Sequence, residues 1–359
     1  MKKFLILNPI VYTSSGNPTI GNYSRWNFGI NRLPGTPGSY CPIAGSSLLL
    51  LNWLNKNGYE AYMLDSCASS LTPEEMYKAI GEIAPTHIIL PITHPMADLS
   101  MDVAKTLSLK YEVLIIGPFA TTILDYHKEG LDWAVVISGG YIEGIKQYFS
   151  DDLVAIYGSH LISQEEFQNI SLGYDYVIGK YSKHYKWPFL YREPALQGQK
   201  YSDKQLWGFS SMGCHNRCKF CEFTSTIYNN KVVYKYADYF IRQTQSLIDE
   251  YHPEYLLLDD DNVCVHPLEN AKEIVKWLKT TGLPWSVMMD FTGKFDENMI
   301  KYMEECGLTA LRVGVESFCT SAMSLMCPRK SVERQLELID FVIKHTKLSL
   351  FISMQHDIL

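Results

Sequence analysis

The sequence predicts an α/β protein: an N-terminal doubly wound domain with a parallel sheet, then a partial (β/α) barrel that breaks off after its fifth strand. Three observations predict this. Short apolar runs alternate with amphipathic stretches from Lys3 to Ile137, the same alternation returns from Tyr236 to Met354, and a cysteine loop lies between them, directly after a strand-like run. Such alternation builds parallel sheets buried on both faces, because each crossover lays a helix over the strands it joins.

In the first half the strand-like runs are 3–8, 60–64, 87–91, 112–116 and 133–137, separated by helical patterns at 43–56, 73–83, 98–109 and 120–129. A Rossmann or flavodoxin-like sheet places its ligand crevice at the carboxyl ends of the strands. The insert 10–41, rich in Gly, Pro, Asn and Ser, leaves the first strand at that end. A loop this long inside a compact domain usually carries function. The alternative is a disordered surface excursion, although Tyr23, Trp26, Phe28 and Tyr40 give it something to pack with. The expected domain spans 1–150.

Between 151 and 204 the pattern weakens into a turn-rich connector whose Tyr181, Tyr185, Trp187, Phe189 and Tyr191 suit packing between domains or a substrate pocket. From 205 to 359 the alternation resumes, with helices at 236–251, 268–280, 297–306 and 332–346 and strands at 255–259, 285–289, 310–315 and 348–354. With the run before the cysteines this makes five strands of a barrel whose site belongs at their carboxyl ends. Met288 and Met289 read as barrel core.

The cysteine loop is Cys214-His215-Asn216-Arg217-Cys218-Lys219-Phe220-Cys221, a C-x3-C-x2-C spacing. Three thiols on one short loop can reach three corners of an iron–sulfur cube and leave the fourth iron open to a small molecule. Zinc is the rival, recruiting His215 or Cys264 as a fourth ligand. The remaining cysteines, Cys41, Cys67, Cys264, Cys306, Cys319 and Cys327, have no metal spacing and read as small buried hydrophobes, although Cys319 and Cys327 lie near the loop after the fourth barrel strand and could act in chemistry. The sequence has no Walker loop, Ser-His-Asp order or H-E-x-x-H motif.

With Phe220 directly before the last cysteine and a strand leading in, this loop resembles that of the radical S-adenosylmethionine (radical SAM) superfamily. The resemblance implies a 4Fe-4S cluster on Cys214, Cys218 and Cys221, with SAM on the open iron, reductive cleavage of SAM, and a 5′-deoxyadenosyl radical that takes hydrogen from substrate. In Leu258-Asp259-Asp260-Asp261 alternate residues share a face, so Asp260 can point into the barrel, and the resemblance places Asp260, with Asp261 next, at the SAM amino group. A solvated acidic turn is the alternative. Likewise Arg312-Val313-Gly314-Val315-Glu316 resembles the family's fourth strand ending, which gives Gly314 and Glu316 to SAM, against a buried Arg312–Glu316 ion pair. The chain ends at Leu359, where relatives continue with a sixth strand toward the adenine pocket, so a fragment or a barrel completed otherwise is expected.

The first half resembles the cobalamin-binding-like domain found ahead of many radical SAM barrels, through Leu5-Ile6-Leu7-Asn8-Pro9, Pro42-Ile43-Ala44, Gly58-Tyr59-Glu60, Ile115-Ile116-Gly117-Pro118 and Gly139-Gly140-Tyr141. By that resemblance cobalamin contacts come from Asn8, Pro9, Ile92, Thr93, Gly117, Pro118, Phe119, Ser138, Gly139 and Gly140. Asp125-Tyr126-His127-Lys128-Glu129-Gly130 spells D-x-H-x-x-G, a signature whose histidine ligates cobalt. In the proteins that carry it, it follows the first strand; here it follows the fourth, so His127 reads as a surface residue and Gly130 as a helix cap. A relic domain without cofactor is the alternative.

Composition fits this reading. Hydrophobic residues make up 47% and charged residues 20%, and the formal net charge of −7 argues against a nucleic-acid partner. No run reaches the length of a membrane span. The opening Met1-Lys2-Lys3-Phe4-Leu5-Ile6-Leu7 stops at Asn8-Pro9 and reads as a strand rather than a secretory signal, so the nine cysteines are expected as free thiols and metal ligands in a reducing cytoplasm. The expected function is a cobalamin-dependent radical SAM enzyme, with methyl transfer to an unactivated carbon as the commonest outcome among relatives. Its partners would be a small-molecule or peptide substrate and an electron donor such as flavodoxin or ferredoxin. The alternatives are a radical SAM enzyme of another reaction type without cobalamin, and a truncated, silent metal-binding scaffold.

Overall fold

Runs such as Phe4-Leu5-Ile6-Leu7 and Ile88-Ile89-Leu90 are apolar on both alternating faces, which suits a strand covered on both sides, and all seven side chains are buried. The structure is a computed structural model that describes residues 2–9, 11–12, 18–19, 45–66, 71–92, 97–117, 119–120, 131–151, 155–159, 162–172, 177–178, 205–221, 231–292 and 295–355. The chain divides into two compact units, Met1–Ile162 with Ile170–Asp203, and Ser163–Asn169 with Lys204–Leu359.

In the first unit the elements are β1 (Lys3–Asn8), a small antiparallel pair β2 (Val11–Tyr12) and β3 (Pro18–Thr19), α1 (Gly45–Lys56), β4 (Glu60–Asp65), α2 (Pro73–Ile83), β5 (His87–Pro91), α3 (Ala97–Ser108), β6 (Glu112–Ile116), β7 (Val135–Gly139), α4 (Tyr141–Asp151), β8 (Ala155–Ser159) and β9 (Val177–Ile178). Local chemistry sets the boundaries. At α2, Thr72 Oγ1 accepts from Glu75 N–H at 3.2 Å and Glu75 Oε2 accepts from Thr72 N–H at 2.9 Å, a capping box with Pro73 at the first helical position.

The sheet order is β8-β7-β6-β5-β1-β4-β9, and the pairs are parallel. From β1 the chain steps to β4 on one side, then returns to β5 on the other and walks outward. This is a doubly wound sheet whose direction reverses between β1 and β5, the point where such sheets open a crevice. The segment predicted as a connector contributes β8 and β9 to this sheet. Five-residue and two-residue strands carry too little periodicity to stand out in aromatic, turn-rich chain. Most of the insert 10–41, the helical stretch 120–129 with its His127 motif apart from Ala120, the aromatic residues 181–191, and Cys41 and Cys67 lie outside the described residues.

The second unit begins with α5 (Gln164–Asn169) and continues with β10 (Gln205–Gly208), β11 (Ser211–Gly213), β12 (Val232–Tyr234), α6 (Ala237–Tyr251), β13 (Tyr255–Leu258), a 3-10 turn (Val263–Val265), α7 (Leu268–Thr281), β14 (Trp285–Met289), α8 (Glu297–Glu305), β15 (Leu308–Glu316), α9 (Thr320–Met326), α10 (Val332–His345) and β16 (Ser349–Met354). Helix α5 joins this unit through its glutamines: Gln168 Nε2 donates to the Tyr234 carbonyl at 2.8 Å, and Gln168 Oε1 accepts from Tyr236 N–H at 2.7 Å. Asp296 and Ser331 cap α8 and α10, accepting from Met299 N–H and Arg334 N–H at 2.9 and 3.2 Å. The five strands β10-β13-β14-β15-β16 pair parallel in chain order, each reached through helical crossovers. Helix α9, seven residues mostly of small and sulfur-bearing side chains, is absent from the sequence prediction.

Candidate functional site

The cysteine loop leaves β10 through a bend that the ends of the neighbouring strands hold in place. Asp260, just past β13 and fully buried, accepts on Oδ1 from Ser210 N–H at 2.7 Å and Ser211 N–H at 2.9 Å, and on Oδ2 from the Ser210 hydroxyl. Asp261 Oδ2 accepts from Gly213 N–H at 2.7 Å. A carboxylate accepting several N–H groups makes strong, charge-assisted bonds, so both aspartates act on the loop backbone. Gly213 has φ of +88°, and a Cβ there would run into the Lys231 carbonyl just before β12, the strand that pairs with β11. Only glycine fits that place without strain.

Behind Asp260 lies a further chain of bonds. Asn270 Oδ1 accepts from Ala237 N–H at 2.9 Å, so its amide nitrogen faces the Lys235 carbonyl and His266 Nδ1, both at 2.9 Å. His266 Nδ1 is then an acceptor, which leaves the proton of the neutral ring on Nε2, 2.8 Å from Ser210 Oγ. The Ser210 proton is free to go to Asp260. Asp290, after β14, gathers the opposite side: Oδ2 accepts from the Asn216 and Asn262 amides, and Oδ1 accepts from Thr292 Oγ1 at 2.6 Å. Asn216 lies inside the cysteine loop, so β13 and β14 both reach it.

Within the loop Cys214 and Cys218 are 8% and 7% exposed, and Cys221 is half-buried. Asn262 Nδ2 donates to Cys214 Sγ at 3.4 Å, and burial still pushes that thiol up to about 12. Cys218 is held up by a hydrogen bond with the Cys327 thiol and by burial. Cys327, predicted as a buried hydrophobe, therefore touches the loop: it shares an apolar cluster with Cys218, Met323 and Val332, against which Phe220, Cys221 and Met326 pack. Lys219 N–H donates to the Met326 carbonyl at 2.9 Å, and Cys221 N–H to the Cys218 carbonyl at 3.0 Å. Among the described residues no three His, Cys, Asp or Glu side chains converge on a point suited to one metal ion. Thiols that serve different irons of a cube need not converge on one point.

Strand β15 ends in Glu316, nine-tenths buried with φ of +69°, a conformation that costs a non-glycine residue of order 1–3 kcal/mol and clusters at functional sites. Its Oε1 faces the Lys330 ammonium at 3.3 Å, while Oε2 is buried without a hydrogen-bond partner among the described residues. Lys330, not Arg312, is the ion-pair partner seen. Gly314 has no Cβ to collide with Glu316 Oε1, which lets the carboxylate fold back over the strand.

In the first unit Asn8 ends β1 at the point where the sheet reverses. It is buried, and its Nδ2 has no partner among the described residues; the same holds for Ser66 Oγ, whose N–H donates to the Asn8 carbonyl at 3.1 Å. Pro9 follows Asn8 directly. Gly117 and Gly139, at the ends of β6 and β7, have φ of +106° and +90°, and a Cβ on Gly117 would stand 2.6 Å from the Ile92 carbonyl oxygen. Gly140 precedes α4, whose first turn it joins by accepting from Gly144 N–H at 2.9 Å. Thr93 and Pro118 lie outside the described residues.

Sequence reasoning missed Asn216, Asn262, Asp290 and Lys330, and kept Cys327 only as an alternative to a buried hydrophobe. A signal existed for three of them: Asp290 directly after β14, Asn262 four residues past β13, and Asn216 inside the loop itself.

No family model matches this sequence, and no curated protein matches it. In fold it is similar to solved structures. One is TsrM from Kitasatospora setae, a radical S-adenosylmethionine methyltransferase with tryptophan and a SAM analogue bound: TM-score 0.62, 11% identity, 98% of this chain and 67% of that one. Another is OxsB, a cobalamin-dependent S-adenosylmethionine radical enzyme with aqua-cobalamin bound: TM-score 0.68, 10% identity, 99% of this chain and 49% of that one. The chain spans about half the length of OxsB and about two thirds of TsrM. Over the span it covers, its fold is similar to that of these radical SAM enzymes.

Proposed function

We propose that this chain is a radical SAM enzyme of the class with an N-terminal cobalamin-binding-like domain, in which Cys214, Cys218 and Cys221 hold a 4Fe-4S cluster. The observation that carries the proposal is the loop itself: three thiols at the end of the first strand of a sequentially wound parallel sheet, fixed by carboxylates from the next two strand ends. The sheet order is the winding of a (β/α) barrel, which supports reading 205–359 as part of one. The donor set suits iron and sulfide, which bind thiolates. The buried thiols of Cys214 and Cys218, held protonated in the metal-free protein, would lose their protons as metal binds. A bound cluster supplies a single low-potential electron to SAM.

The chain's own residues then divide the work. Asp260, Asp261 and Asp290 hold the loop, and the apolar cluster around Cys218 and Phe220 keeps water from it. Glu316, with an unpaired buried oxygen and a strained backbone, is the group best prepared to accept hydrogen bonds from the ribose or ammonium of SAM, and Gly314 gives it room. In the first unit the unpartnered Asn8 Nδ2 and Ser66 Oγ, with Pro9, Gly117, Gly139 and Gly140 at neighbouring strand ends, fit a large flat cofactor over the crevice. Cobalamin is the cofactor proposed there, with Thr93 and Pro118 added on the resemblance alone. Methyl transfer to an unactivated carbon of a small molecule or peptide is the proposed reaction, with flavodoxin or ferredoxin as electron donor and the cytoplasm as its place.

The test is anaerobic reconstitution with iron, sulfide and hydroxocobalamin, followed by desalting and incubation with SAM and dithionite. Corrin absorbance that stays with the protein, and 5′-deoxyadenosine in the product, are expected. Absence of the nucleoside refutes the radical SAM reading, and loss of the corrin refutes the cobalamin half alone.

A further inference from the structure

Lys330 is a buried cation beside the cysteine loop. Its side chain is 5% exposed, and its ammonium donates to the Gly314 carbonyl at 2.6 Å and to Glu316 Oε1 at 3.3 Å. Its backbone N–H donates to the Cys327 carbonyl at 2.9 Å, and the neighbouring Met326 carbonyl accepts from Lys219 N–H in the loop. The segment that carries the cation is thus stitched to the loop between Cys218 and Cys221. Burial works against the charged form and the Glu316 carboxylate at 3.3 Å supports it; on balance the ammonium stays charged.

We propose that Lys330 is a positioning residue that sets the reduction potential of an iron–sulfur cluster on Cys214, Cys218 and Cys221, by holding a fixed positive charge on the Cys218 side. The inference rests on the cluster reading above. Reduction adds one electron, from dithionite in vitro, and one unit of negative charge with no bond broken. A fixed ammonium in buried surroundings favours that state, because its attraction for the added charge is weakly screened there. Charge and hydrogen bonds near the sulfurs are among the levers that set such potentials.

Wild-type protein and the variants Lys330→Met, Lys330→Arg and Glu316→Gln are reconstituted anaerobically with iron and sulfide. Each is titrated with dithionite against redox dyes, and the reduced cluster is followed by electron paramagnetic resonance. Lys330→Met is expected to lower the potential by at least about tenfold in the one-electron equilibrium, about 59 mV. Lys330→Arg keeps it near wild type, and Glu316→Gln, which unmasks the ammonium, raises it. Opposite shifts from the two partners are something a merely structural role would not produce. Unchanged potentials, or shifts in one direction for both, overturn the proposal. Should Lys330→Met hold no cluster, Glu316→Gln decides: an upward shift supports the proposal, and none or a downward one overturns it. A wild-type protein that takes up no cluster overturns the cluster reading itself, and this inference with it.

Discussion

Replacing Asp260 by alanine removes the clamp on which the cysteine loop is built. The substitution leaves Ser210 N–H and Ser211 N–H, which now donate to Oδ1 at 2.7 and 2.9 Å, without acceptors in a site closed to water, and strands the Ser210 hydroxyl as well. A buried donor left unsatisfied costs about 1–3 kcal/mol. Two backbone groups therefore cost about 2–6 kcal/mol together, a large share of a typical stability of about 5–15 kcal/mol. Asparagine is milder. Its oxygen can still accept from both N–H groups, while its amide nitrogen meets Ser210 Oγ and turns that hydroxyl from donor to acceptor. The loss is then charge assistance plus the stranded Ser210 proton, about 2 kcal/mol. Equilibrium unfolding in urea, read by the fluorescence of buried Trp207 and Trp285, measures both. Asp260→Ala within about 0.5 kcal/mol of wild type, the range of ordinary surface substitutions, would refute the reasoning, as would asparagine costing more than alanine.

Two more perturbations follow from the same loop. Gly213→Ala forces a side chain into a left-handed backbone and against the Lys231 carbonyl, so it should cost about 2 kcal/mol or more. Iron uptake on reconstitution should also fall; wild-type stability and uptake would show that the loop can rearrange freely. In the metal-free protein Cys319 is exposed and its thiol is lowered by the Ser321 hydroxyl, whereas Cys214 is pushed up to about 12 by burial. Because the thiolate is the reactive form, iodoacetamide at pH 8 should label Cys319 well before Cys214 by peptide mass spectrometry. Raising the pH toward 11 should speed Cys214; equal rates at pH 8 would contradict the burial assigned to it.

Much of the fold was legible because its strands are short, apolar and separated by amphipathic helices of ordinary length. The run 87–91 is strand β5 residue for residue, and 73–83 is helix α2, whose Thr72, Pro73 and Glu75 mark its start in the sequence itself. Periodicity could not reveal β8 and β9, which are edge strands of five and two residues in a region that reads as turns. Nor could it assign α5 to the second unit, since that assignment rests on Gln164 and Gln168 bonding to chain about 70 residues away. At the site, the three cysteines and the acidic strand ends announced themselves by spacing. The direction of those acids did not. Alternation places Asp260 inward, but only the structure turns its carboxylate to Ser210 and Ser211. Cys327 and Lys330 lie more than a hundred residues from Cys218 in the chain, and their approach depends on how α9 and α10 fold back, which no local pattern encodes.

The central claim is that Cys214, Cys218 and Cys221 leave one iron of a cube open to SAM. It is tested most directly by electron paramagnetic resonance of the reduced, reconstituted protein before and after SAM is added, with iron, sulfide and zinc measured on the same sample. About four irons and four sulfides per chain, and a spectrum that changes when SAM binds, are predicted. One zinc per chain with no cluster signal, or a cluster whose spectrum ignores SAM, would contradict it.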